Sequence, residues 1–359
     1  MITMPSATVH AAPLGESPIA MYAPRAIAWW LLVCCALVFA MMVVGGVTRL
    51  THSGLSITEW QPVVGTLPPL DEADWERAFA KYQATPESLQ VNKGMELDEF
   101  KGIFWWEYWH RLLGRLIGIV YLVPLGWFLV RRAIPPGYAL KLAGVFVLGG
   151  IQGAMGWYMV KSGLVDDPRV SQFRLTAHLG LAFAILGAML WIVLSLRHPA
   201  RVSDSNGPVR SVRVLALAFA GLVFALVLTG GMVAGIRAGF AYNTFPTMNG
   251  QWVPDGILLL EPWWKNFFYN MATVQFDHRI VAWLLVLAAP LLWWRVRRMP
   301  GLTARSRHAA NLVLAMLALQ VTLGIMTLLH VVPLPLAAAH QAGAVVLFAL
   351  ALNLAHAVR

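Results

Sequence analysis

The sequence predicts an all-α polytopic membrane protein, with eight transmembrane helices forming two four-helix bundles related by a pseudo-two-fold axis. Three observations predict it. Of 359 residues, 58% are hydrophobic and only 12% are charged, which leaves little material for a soluble domain. The apolar residues gather into eight runs that reach, or nearly reach, the roughly 20 residues a helix needs to cross a bilayer. Features of the first four runs also recur in the last four.

The elements follow in order. A short segment, 1–25, has Arg25 as its one basic residue. The run after it, 26–47, is longer than a signal-peptide core and reads as an uncleaved first span. Cys34 and Cys35 are adjacent inside this run, so they cannot staple loops together and read as packing residues. A long loop, 49–104, concentrates acids, among them Asp71, Glu72, Asp74, Glu76, Glu96, Asp98 and Glu99. Its 71–83 stretch has the pattern of a short surface helix. Spans at 105–130, 139–160 and 174–196 complete a first half, 26–196. A linker, 197–211, leads to a second half, 212–359, with spans at 213–236, 273–294, 309–330 and 335–358.

The net charge of +10 is dispersed in short clusters between apolar runs, the pattern that encodes membrane topology, so nucleic acid is not expected as a partner. Arginines and lysines crowd the 131–141, 197–213 and 295–307 loops, while the 330–336 loop has none. The positive-inside rule therefore puts both termini in the cytoplasm and the 49–104 loop outside.

The repeat is specific. Glu107-Tyr108-Trp109-His110-Arg111 in the second span is answered 168 residues later by Gln275-Phe276-Asp277-His278-Arg279 in the sixth. Gln152 and Gly156 recur as Gln320 and Gly324 at the same offset, and His178 is answered by His340. Gly45-Gly46 is answered by Gly230-Gly231 at an offset of 185, so the extra length of the first half lies in its outer loop. Halves of four spans each place the two copies in the same orientation.

His110, His178, His278 and His340 lie near the start of spans that all run in one direction, which puts them at one depth. A polar group there costs a few kcal/mol and normally faces the bundle interior with a partner. Two neutral imidazoles facing each other across four helices can hold a haem iron axially, and each half supplies one such pair. Zinc or copper fits less well, because no clustered cysteine or carboxylate completes a compact site. Gly114 and Gly118 follow His110 on its own face, where they either clear room for a flat ring or pack helices through a small-residue motif. His52, His198, His308, His330 and His356 have no repeat partner among the histidines and read as loop or interfacial residues.

The halves differ in one chemical respect: Glu107, one turn before His110, is matched by Gln275. A carboxylate beside a haem can move protons or stabilise positive charge, which an amide cannot; the alternative is that Glu107 simply pairs with Arg111. Arg111 and Arg279 either neutralise haem propionates or snorkel to the surface.

The segments 45–51, Gly-Gly-Val-Thr-Arg-Leu-Thr, and 53–56, Ser-Gly-Leu-Ser, are joined by Glu59-Trp60-Gln61-Pro62 and Leu67-Pro68-Pro69-Leu70. With Glu99-Phe100-Lys101-Gly102-Ile103, 107–115 and Phe276-Asp277-His278-Arg279, they make the chain resemble the haem A synthase family, in its proteobacterial and mitochondrial branch. The resemblance spans nearly the whole chain. It implies oxidation of the C8 methyl group of haem O to a formyl group by successive hydroxylations, giving haem A for cytochrome c oxidase. It further implies that His110 and His178 flank the substrate porphyrin, that His278 and His340 ligate a resident haem b, and that Glu107 is the catalytic carboxylate. The location implied is the bacterial inner membrane, with haem O synthase and cytochrome c oxidase assembly factors as candidate partners and homo-oligomerisation left open. Some bacterial members carry a cysteine pair in the first outer loop; this chain has none there. The rival reading is a bis-histidine dihaem electron-transfer cytochrome that does no chemistry on its porphyrin.

Overall fold

Eight helices in a computed structural model are long and apolar enough to cross a membrane: α1 (Pro18–Leu50), α4 (Leu97–Val130), α5 (Ala139–Gly163), α6 (Gln172–Arg197), α7 (Pro208–Gly235), α9 (Met271–Arg298), α10 (Ala304–Leu329) and α11 (Leu334–Ala357). Residues 18–60, 64–164, 168, 170–199 and 208–359 are described. Most of the 1–25 segment and of the 197–211 linker therefore lies outside the described residues. Three short helices, α2 (Glu72–Gln83), α3 (Pro86–Gln90) and α8 (Asn266–Tyr269), sit between the spans, and no strand occurs among the described residues.

The helices coincide with the expected spans and mostly start before them, α1 and α4 by eight residues each. The start of α4 is set by a reciprocal cap, in which the Glu96 N–H donates to Glu99 Oε2 at 3.0 Å, so that α4 begins eight residues before the apolar run. The added turns carry Phe100 and Phe104. These rings pack on α2, with Trp75 4.9 Å from Phe104 and Tyr82 5.2 Å from Phe100. The expected surface helix is α2, capped by Asp71, whose Oδ1 accepts from the Asp74 N–H at 2.7 Å. The five-residue α3 is too short to announce itself by periodicity, and Thr85 caps it.

The halves meet through α1 and α6 on one side and α7 and α11 on the other, with α4, α5, α9 and α10 outside them. Phe348 of α11 bridges the seam, 5.4 Å from Phe183 and 5.9 Å from Phe224. Cys34 and Cys35 are buried there as free thiols. The outer helices present bare aliphatic residues such as Val130 and Leu140, as lipid contact requires. At the end bearing the long loop, residues in matching positions of the two halves touch directly. Arg237 Nη2 donates to His52 Nδ1 at 3.2 Å, and Arg49 Nη2 to the Ala234 carbonyl at 3.2 Å, each pair 185 residues apart. His52 and Arg237 also share a left-handed backbone, with φ of +54° and +58°.

Candidate functional site

Each of the four histidines stands within about two turns of the point where its helix enters the apolar layer, and each is half-buried. His110 of α4 lies near His178 of α6, and His278 of α9 near His340 of α11.

A glycine on a neighbouring helix backs every ring. A Cβ on Gly45 would lie 3.1 Å from His110 Nε2, and one on Gly156 3.3 Å from His178 Cε1. In the second half, a Cβ on Gly230 would come to 3.3 Å of His278 and one on Gly324 to 2.8 Å of His340. These are the repeat-related glycines, so their recurrence has a steric cause: an imidazole edge comes up against bare backbone where a side chain would crowd it. Gly114 and Gly118 behave differently. A Cβ on Gly114 would meet only Met41 of α1, at 3.1 Å, and one on Gly118 would meet nothing within 4 Å, so helix packing accounts for Gly114.

Glutamines orient the α6 and α11 histidines. The Gln152 amide nitrogen lies 3.3 Å from His178 Nε2 and donates to the His178 carbonyl at 3.1 Å. Gln320 does the same for His340, at 3.1 Å to Nδ1 and 2.8 Å to the carbonyl. This leaves His178 Nδ1 buried without a partner, a nitrogen lone pair or N–H that a packed protein rarely strands. His278 is held by a hydroxyl, with Thr229 Oγ1 2.8 Å from its Nδ1. The matching position beside His110 is Val44, so the two halves differ here as well. Comparing Thr229-Gly230-Gly231 with Val44-Gly45-Gly46 carries that signal, but nothing in either triplet shows that it faces a histidine.

Glu107 is 2% exposed and fully engaged. Its Oε2 accepts from Ser56 Oγ at 2.7 Å and the Ile57 N–H at 2.8 Å, and its Oε1 accepts from Arg111 Nη2 at 2.6 Å and Nε at 3.0 Å. Arg111 goes on to donate to the carbonyls of Ile57 and Glu59. Gln275, 3% exposed, repeats the device: its amide donates to the Ala238 carbonyl at 2.8 Å, and its Oε1 accepts from Arg279 at 3.1 Å. Arg279 in turn reaches the carbonyls of Tyr242 and Thr247. Both arginines thus tie a loop to the helix that carries the neighbouring histidine. Ser56 and Ile57 are the partners of Glu107 that spacing along the chain did not reveal.

Of the remaining histidines, His198, His308 and His330 are exposed as expected. His356 is buried within the protein. It is 2% exposed, set edge-on against Trp191 and near Ser195 and Arg305, because the last turn of α11 is packed under the ends of α6 and α10.

Fold and site together define a polytopic helical membrane protein with four histidines, each held against the bare backbone of a neighbouring helix. The chain belongs to the COX15-CtaA family, described as cytochrome oxidase assembly protein, which it matches over residues 28–352. It is 59% identical over 335 residues to the heme A synthase of Nitrosospira multiformis, covering 93% of this chain and 94% of that protein. The heme A synthase of Nitrosomonas eutropha is 58% identical over 327 residues, 91% of this chain and 92% of its own. That of Paramagnetospirillum magneticum is 48% identical over 352 residues, 97% and 98% of the two chains.

Proposed function

We propose that this protein is a haem A synthase, an oxidoreductase that converts haem O to haem A by successive hydroxylation of the C8 methyl group to a formyl. Its relatives' names and the family support the activity; the contrast between Glu107 and Gln275 carries the assignment of roles within it. His110 and His178 flank the substrate porphyrin, and His278 and His340 hold a resident haem b. The donor set suits haem: imidazoles all backed by glycine, three of them oriented by a glutamine or a threonine. A bound haem b would supply one-electron chemistry at that position.

The protein's own groups do the rest. The Glu107 carboxylate, kept out of water and ion-paired with Arg111, places fixed negative charge where the substrate carbon becomes electron-poor. Its engaged oxygens hold loop residues Ser56 and Ile57 over the same space, which excludes bulk water. We further assign 26–196 and 212–359 as halves related by a pseudo-two-fold axis, supported by the direct contacts between matching residues 185 apart. The arginine-rich loops support cytoplasmic termini in a bacterial inner membrane. Haem O synthase and oxidase assembly factors are fitting partners.

Chromatography of haems extracted from the purified protein tests this reading. Haem b together with haem O or haem A is expected; haem b alone, in cells that make haem O, would point to an electron-transfer cytochrome instead.

A further inference from the structure

The loop end of the seam holds a buried group that the proposed reaction does not use. Glu87 of α3 is 4% exposed, and its Oε2 has no hydrogen-bond partner. Arg49 and Arg237 are close enough to act on its charge, yet among the described residues no ion pair joins it to either. Arg49 is equally underused: its Nε is buried and unpartnered, and its Nη2 makes only long contacts to the carbonyls ending α7, 3.2 Å to Ala234 and 3.5 Å to Gly235. Arg237 spends a donor on His52, whose pKa burial and the two arginines lower. Two guanidiniums therefore adjoin one carboxyl without closing on it. Such a cluster is costly as it stands, and orphaned buried donors ask for an acceptor.

The position of the cluster indicates that acceptor. Arg49 is one turn beyond Gly45, which backs His110, and Arg237 sits in a left-handed turn just past the end of α7, the helix whose Gly230 backs His278. Arg49 thus lies on the histidine-facing side of α1 and meets the end of α7, both displaced toward the loop end. By contrast, Arg111 and Arg279, beside the histidines, have their donors committed to loop carbonyls.

We infer that Arg49, Arg237 and Glu87 form a carboxylate-binding site at the junction of the halves, which receives a propionate of the haem held in the bundle. The inference rests on the reading that the histidine pairs bind haem. Two arginines supply the charge, and Glu87, which burial and the nearby Glu107 push up to about 8, keeps a proton that its free oxygen can donate.

The test compares protohaem with its dimethyl ester, whose propionates can neither accept charge-assisted bonds nor carry charge. The full-length protein in detergent is depleted of haem and titrated with each, with the Soret band as readout. Wild-type protein is expected to hold protohaem about tenfold or more tightly than the ester, and R49Q/R237Q to lose that preference while still binding the ester. E87Q, the milder variant should the double one fail to fold, is expected to lose part of it. An undiminished preference in E87Q and R49Q/R237Q, or no preference in wild type, overturns the site. Absence of any Soret band in wild type overturns the haem reading first, and the inference with it.

Discussion

On the proposed reading Glu107 both acts on the substrate and clips the loop, and separating the two needs the right substitution. Truncation to alanine would strand the Arg111 guanidinium, itself only 10% exposed, at a cost of about 3–5 kcal/mol, so lost activity would say nothing about chemistry. Glutamine is the informative change, because Gln275 already shows that an amide oxygen can accept from the arginine one turn on. E107Q is expected to keep the fold and its haem but to lower haem A formation by about a hundredfold or more, read by chromatography of extracted haems. Unchanged haem A would reduce Glu107 to a loop clip. At this scale the sequence carried the four histidines and the Glu107/Gln275 difference, because a repeat makes an unmatched residue conspicuous. Thr229, Ser56 and Glu87 stayed hidden, since their roles come from neighbours 49 and 51 residues away or, for Glu87, from arginines at the ends of two other helices.

Helices reach their histidines through glycine. The Gly324 contact is the tightest, and 2.8 Å to an imidazole carbon is closer than a real Cβ approaches anything. The G324A variant must therefore rotate the His340 ring or spread α10 from α11, and it is expected to lose most haem b absorbance from the second half. G118A, which would meet nothing within 4 Å, serves as the control and should change stability by no more than about 0.5 kcal/mol. Retention of full haem b in G324A would show that His340 is not held by this contact. The spans themselves were legible from hydropathy, since lipid demands the same apolar length everywhere. Their ends were not: α4 extends eight residues further because a cap and an aromatic cluster with α2, not the bilayer, decide where it starts.

Across the whole molecule, the loop-end cluster links the halves electrostatically, and this makes stability depend on pH. Glu87 is raised from 4.5 to about 8, by burial first and Glu107 second, against the opposing pull of Arg49 and Arg237. Between those values the folded protein keeps a proton that the unfolded chain has lost, so stability falls as pH rises through this window, by up to about 1.4 kcal/mol per pH unit. E87Q removes the group, and its thermal unfolding midpoint is expected to be flatter than wild type between pH 4.5 and about 8. Parallel profiles for the two proteins would show that Glu87 titrates normally.

Composition and periodicity determined, from the sequence alone, the eight spans, and repetition singled out four histidines and the Glu107/Gln275 contrast. They suffice because a bilayer imposes length and polarity on each helix separately, and a repeated pattern marks its positions twice. Tertiary structure alone decided which glycine backs which imidazole, that Glu107 is locked to Ser56, Ile57 and Arg111, and that Arg49, Arg237 and Glu87 converge at the seam. Those relations join residues on different helices, and only the packing of helices across the seam brings them within reach.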